Sequence, residues 1–160
     1  MSIPDTDRED GSAEAKSDFI TVRIADQWFG FPVSVVHDVF MPQNITYVPL
    51  ARREVAGVLN LRGRIVTAID MRLLLELPRR EEDARCMAVG IEKGGESYGL
   101  LIDEVGEVLS LKDSDFEANP SNLDACWSEI SKGVYRLEGT LLVVLDTDRV
   151  LAFEEAVKAA

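Results

Sequence analysis

The sequence has one histidine and two cysteines in 160 residues. Zinc sites draw on imidazole and thiolate, so a metal centre here would need carboxylates for most of its ligands. Cys86 and Cys126 form no CxxC pattern and read as two reduced thiols of a cytoplasmic protein. Basic residues are also scarce: 17 Lys+Arg face 29 Asp+Glu, a formal net charge of -12. Nucleic acid and anionic lipid both need basic surface, so neither is an expected partner. No apolar run is long enough to span a membrane. Residues 1–16 lack the apolar stretch of a secretory signal. No GxSxG, P-loop or strand-borne GxGxxG occurs. His37 has no serine or cysteine nucleophile beside it. Asp103 and Glu104 are adjacent at the end of an apolar run, where strand geometry turns neighbouring side chains to opposite faces. They read as strand-end polar residues rather than an acid/base pair, and no catalytic set or cofactor site is expected.

What is present is ordinary for a folded chain, with 46% hydrophobic and 29% charged residues. Residues 1–17 are polar and acidic and are expected to form a disordered tail, carrying a net -3. Beyond them one pattern occurs twice. Trp28-Phe29-Gly30 with Val36 and Val39 matches Tyr98-Gly99 with Val105 and Val108 at an offset of 69 residues. Gly57, Leu61, Gly63 and Asp70 match Gly133, Leu137, Gly139 and Asp146 at an offset of 76. The seven-residue difference is a loop of unequal length within a duplicated unit, spanning about 19–77 and 86–153.

Each copy alternates apolar and polar residues in short runs punctuated by glycine, the signature of small antiparallel barrels. Two such barrels fit the length. Each alone has a thin core, so the two are expected to lean on one another. Asp70 and Asp146 read as matched helix caps. A C-terminal helix is expected from Asp146 to Ala159, with Val150, Leu151, Phe153 and Val157 on its buried side.

Arg62 is the sharpest candidate binding residue. Val58, Asn60 and Arg62 share one face of an extended segment, opposite Leu59 and Leu61. That places an amide and a guanidinium at a hairpin tip, and the guanidinium fork suits carboxylates and carbonyls at an interface. The apolar stretch Val33–Phe40 and its counterpart Val105–Leu111 belong mostly to the core. Together they leave room for a groove that takes an amphipathic helix.

These motifs carry a family resemblance. The run Gly57-Val58-Leu59-Asn60-Leu61-Arg62-Gly63-Arg64-Ile65-Val66, with Ile69-Asp70-Met71-Arg72, resembles the CheW family of chemotaxis coupling proteins. So does Tyr98-Gly99-Leu100-Leu101-Ile102-Asp103-Glu104-Val105 with Val108-Leu109. The resemblance covers about Phe19 to Phe153. It implies a mainly β domain over 18–153: two five-stranded SH3-like β-barrels packed together, with short helices and a C-terminal helix, and 154–160 as a tail. It implies no enzyme activity and no cofactor. The implied partners are a CheA-type histidine kinase, through its regulatory domain, and the cytoplasmic tip of methyl-accepting chemoreceptors. The protein would be cytoplasmic and recruited to membrane-associated arrays.

By motif position, Val36, Asp38, Val39, Arg62 and Gly99 fall where the family couples receptor and kinase. Gly57, Asn60, Gly63 and Val108 complete the candidate surface. Asp38 stands where many relatives carry Glu, and Thr67 replaces a proline often found in that hairpin. A scaffold of the same fold in a motility or developmental kinase pathway is the alternative.

Overall fold

A computed structural model describes residues 15–81 and 84–152. Ten strands make two five-stranded sheets. In chain order they are β1 (Lys16–Ile24), β2 (Gln27–Pro32), β3 (Asp38–Phe40), β4 (Val55–Leu61) and β5 (Arg64–Asp70), then β6 (Met87–Lys93), β7 (Glu96–Ile102), β8 (Glu104–Lys112), β9 (Ser131–Leu137) and β10 (Thr140–Leu145). Three short helices accompany them: α1 (Met71–Leu74), α2 (Ala125–Ile130) and α3 (Thr147–Val150).

Sheet A has the order β8-β1-β2-β10-β9 and sheet B the order β3-β6-β7-β5-β4. Advancing each label by five, cyclically, turns one order into the other. Each sheet therefore combines a hairpin from one sequence repeat with three strands from the other. The repeats are intertwined and do not correspond to the sheets one to one. The exchange also changes one expectation, that the barrels are antiparallel throughout. β2 pairs with β10, and β5 with β7, in parallel. A hairpin that enters from the other repeat has no local turn to force an antiparallel approach.

Alternation along the strands distributes the apolar residues. Val22, Ile24, Phe29, Phe31, Val143 and Leu145 of sheet A join Ile69, Val89, Tyr98, Leu100 and Ile102 of sheet B in one shared core. The intervening residues build two smaller cores. Phe40, Leu59, Val66, Ala68, Ala88 and Leu101 cluster on the other face of sheet B. Phe19, Tyr135, Leu142 and Val144 do so on sheet A. Strands buried on both faces read as continuous apolar runs, which is why Leu141–Leu145 shows no alternation.

The ends of each sheet meet through single bridges rather than a full ladder. Thr46, in the segment after β3, bridges Val58 of β4, and Glu117, after β8, bridges Val134 of β9. Asp70 caps α1 by accepting from Arg72 N–H, and Asp146 caps α3 by accepting from Asp148 and Arg149 N–H. The expected C-terminal helix is described only as α3, and its continuation from Phe153 lies outside the described residues. The expected tail differs at one boundary. Lys16 and Ser17 already belong to β1, where they pair with Lys112 and Leu111, and Asp113 N–H donates to Ala15 O at 2.9 Å. The rest of that tail, residues 1–14, lies outside the described residues.

Candidate functional site

The turn between β4 and β5 positions Arg62. Arg62 (φ 52°) and Gly63 (φ 83°) both have left-handed backbone, as a two-residue hairpin turn requires. Gly63 is free of crowding at its Cα, so its glycine serves the backbone angle and not space. Asn60 holds the turn by accepting from Gly63 N–H at 3.0 Å through Oδ1. Non-glycine residues rarely adopt this conformation. Arg62 does so while its guanidinium reaches Asp38 Oδ2 at 3.1 Å.

That ion pair spans the two ends of sheet B, because Asp38 opens β3 and Arg62 follows β4. Arg62 is 74% exposed, so the pair contributes little to stability and remains open to a partner. Beside it, Arg64 Nη2 pairs with Glu92 Oε2 at 3.1 Å, and His37 Nε2 lies 3.8 Å from Glu92 Oε1. These charges rim a groove floored by Phe40, Leu61, Val66 and Tyr98. A second groove on the other side of the hairpin mixes apolar walls with Gln43, Asn44 and Thr46. Met41 (59% exposed) and Ile65 (63% exposed) line it with Asn60 and Leu61.

The structure brings Asp38, Asn60, Arg62 and Gly63 together. Val36 and Val39 flank Asp38, both half-buried, with Val36 against the shared core. Gly57 lies on the same strand as Asn60, nearer the Thr46 bridge. Gly99 and Val108 stand apart. Val108 is exposed in β8, an edge of sheet A, opposite Ile20. Gly99 is buried in β7, and a Cβ there would meet Phe40 Cζ at 3.1 Å and Val66 Cγ1 at 3.3 Å. A side chain at Gly99 acts on the Asp38 end of the sheet indirectly, by pushing Phe40. Gly99→Ala is expected to cost about 1–2 kcal/mol of stability. Phe40 chemical shifts should move together with those of Asp38, and a variant that leaves both in place contradicts the packing argument.

Sequence reasoning missed two features. One is the exposed pair Met41 and Ile65, since an exposed apolar residue at a strand end looks like a core residue in sequence. The other is a buried charge cluster. Asp103 is 5% exposed and accepts from Arg72 Nη2 at 2.5 Å, Arg80 Nε at 3.0 Å and Ala25 N–H at 2.9 Å. Burial alone would push its carboxyl up, but the Arg72 fork, the Ala25 N–H and Arg80 outweigh it and hold it below the usual carboxylate range. A sequence signal existed: Leu100-Leu101-Ile102 runs into Asp103 with no turn residue between, so Asp103 inherits the burial of the run. Cys86 and Cys126 are both free thiols. Burial, with Glu76, Asp124 and Glu129 nearby, pushes the Cys126 thiol up to about 11, and it donates to Leu74 O.

The family profile described as "CheW-like domain" matches residues 18–155. The chain belongs to the CheW-like family. "Chemotaxis protein CheW" of Thermotoga maritima is 30% identical over 141 residues, covering 87% of this chain and 91% of that protein. The protein of the same name from Rhizobium meliloti is 27% identical over 138 residues, covering 86% and 89%. The crystal structure of the scaffolding protein TtCheW from Thermoanaerobacter tengcongensis superposes with a TM-score of 0.73 at 22% identity, covering 82% of this chain and 90% of that one. That likeness supports the fold: two five-stranded SH3-like units of CheW type. Among the described residues, no helix of this CheW-like chain is long and apolar enough to cross a membrane, and no His/Cys/Asp/Glu group could hold a metal.

Proposed function

We propose that this chain is a chemotaxis adaptor that couples methyl-accepting chemoreceptors to a CheA-type histidine kinase and catalyses nothing itself. The observation that carries the reading is the Arg62–Asp38 pair at the rim of the groove floored by Phe40, Leu61, Val66 and Tyr98, on a CheW-like fold. A groove with an apolar floor and a guanidinium at its rim suits a protein partner, since Arg and apolar side chains together build interface centres. The named relatives are chemotaxis proteins, which favours this pathway over motility or development. The kinase's regulatory domain and the receptor's cytoplasmic tip are the proposed partners. The chain reaches membrane-associated arrays through the receptor, with no insertion of its own. Its acidic surface favours partners with basic rims over nucleic acid.

Work is done by connectivity. A receptor state biases the kinase by a coupling free energy of about 1–3 kcal/mol, with the array supplying avidity to weak contacts. Arg62→Glu sets a carboxylate against Asp38 and inverts the charge of the rim. It is expected to weaken binding to the receptor tip or the kinase regulatory domain by about tenfold or more, with kinase activation lost and the thermal midpoint little changed. Pull-down of both partners and a coupled phosphorylation assay read the two effects. Unchanged binding to both with normal activation would remove Arg62 from the interface.

A further inference from the structure

The chain crosses between its two sheets twice, and the crossings are built differently. The first runs from β2 to β3 through residues 33–37. The second runs from β7 to β8 through Asp103 alone. At the second crossing both oxygens of the buried Asp103 carboxylate are engaged. Arg72 donates from Nε at 3.1 Å to Oδ1 and from Nη2 at 2.5 Å to Oδ2. Arg80 Nε adds 3.0 Å to Oδ1, and Ala25 N–H adds 2.9 Å to Oδ2. Asp103 N–H in turn donates to Arg23 O at 3.0 Å.

These groups come from separate parts of the fold. Ala25 lies in the β1–β2 turn of sheet A. Arg72 belongs to α1, beyond β5 of sheet B. Arg80 sits in the connection between the repeats. Arg72 also reaches that connection through Pro78 O, at 3.0 Å from Nη1. Arg80 Nη2 lies 2.9 Å from Asp103 Oδ1 without being aligned to donate, so it contributes charge while Nε supplies the bond.

The first crossing has no counterpart to this cluster among the described residues, where Asp103 is the one buried charged side chain. The 76-residue offset places Asp148 where Arg72 stands. Asp148 is 78% exposed and pairs with Lys93 at 3.7 Å. A guanidinium fork on a buried carboxylate fixes orientation as well as distance, whereas a single ammonium paired with an exposed carboxylate constrains less.

We infer that the Asp103–Arg72–Arg80 cluster is a one-sided latch that sets the angle between the two sheets, with the Val33–His37 crossing as the compliant side. The latch holds the sheet B end carrying Arg62 and the sheet A edge carrying Val108 at one separation. It goes beyond the coupling reading and does not rest on it, because it concerns the chain alone.

Spin labels at Ile65→Cys in β5 and Thr140→Cys in β10 read the angle, in the full chain with Cys86→Ser and Cys126→Ser. Double electron–electron resonance is expected to give one narrow distance distribution. Arg80→Met keeps the apolar stem and should widen it. Asp103→Asn should widen it further, to about twice the starting width. Lys93→Met, which removes the pair between the end of β6 and α3 at the position matching Arg72, should leave it unchanged. An unaltered width in folded Arg80→Met and Asp103→Asn overturns the latch, as does equal widening by Lys93→Met. If Asp103→Asn does not fold, Arg80→Met and Arg72→Lys decide: the lysine keeps the charge and loses the fork, and widening in both supports the latch while its absence in both overturns it.

Discussion

Asp103→Asn is expected to lower the unfolding free energy by about 3–5 kcal/mol, the usual range when one partner of a buried ion pair is removed. The amide cannot compensate two guanidiniums that are 18% and 10% exposed at Arg72 and Arg80. It also replaces an acceptor oxygen with a donor N–H facing those groups. Urea denaturation of the two proteins at neutral pH measures the difference, and a loss below about 1 kcal/mol contradicts the assignment of Asp103 as a buried charge. The pH dependence carries an independent sign. Asp103 has a depressed native pKa, so its contribution is complete above the ordinary carboxylate range and is lost as pH falls through the native value. Wild-type stability should therefore drop on acidification below about pH 4 more steeply than that of Asp103→Asn. The two curves should converge in acid.

The same residue shows where the amino-acid sequence is legible and where it is not. The two glycine-marked hairpins, the matched caps Asp70 and Asp146 and the duplicated pattern all follow from local rules of turn and strand chemistry, and each is visible in the chain. The partition of strands between sheets is a long-range matter. Residues 33–37 and Asp103 carry the chain from one sheet to the other, and nothing local to either segment reveals that it crosses. The charge cluster depends on that crossing: only after β7 hands over to β8 does Asp103 come within reach of Arg72, thirty-one positions earlier. The pairing of Asp38 with Arg62 is hidden for the same reason, since it requires sheet B to bring its two ends together. The chemistry of Arg62 was readable from its place at a hairpin tip. Its partner was not. Gly99 matched a family position by motif, yet it is buried behind Phe40, so its link to the surface is mechanical.

Gly57→Ala should be the costliest single methyl in the candidate region, at about 3 kcal/mol. Two costs coincide at this position. Gly57 has φ +148°, a conformation that side chains rarely adopt, and its missing Cβ would press on the Thr46 carbonyl oxygen and sit 2.8 Å from Ile45 Cγ2. The obstacle is backbone, held there by two bonds: Thr46 N–H donates to Val58 O at 2.7 Å and Val58 N–H to Thr46 O at 2.9 Å. The chain cannot yield without breaking the bridge that joins the ends of sheet B. Gly63→Ala separates the two costs, because Gly63 shares the unfavourable backbone angle (φ +83°) but has no atom within 4 Å of its Cβ position. It should lose only about 1 kcal/mol. Denaturation gives both values, and hydrogen exchange at Thr46 and Val58 reports the bridge. Equal losses at the two glycines, or undiminished protection of Thr46 N–H in Gly57→Ala, would mean that close approach is not what this glycine provides. The consequence reaches the surface beside Arg62, because the segment that the bridge pins begins at Met41. Loosening it should weaken partner binding even though Gly57 is itself buried.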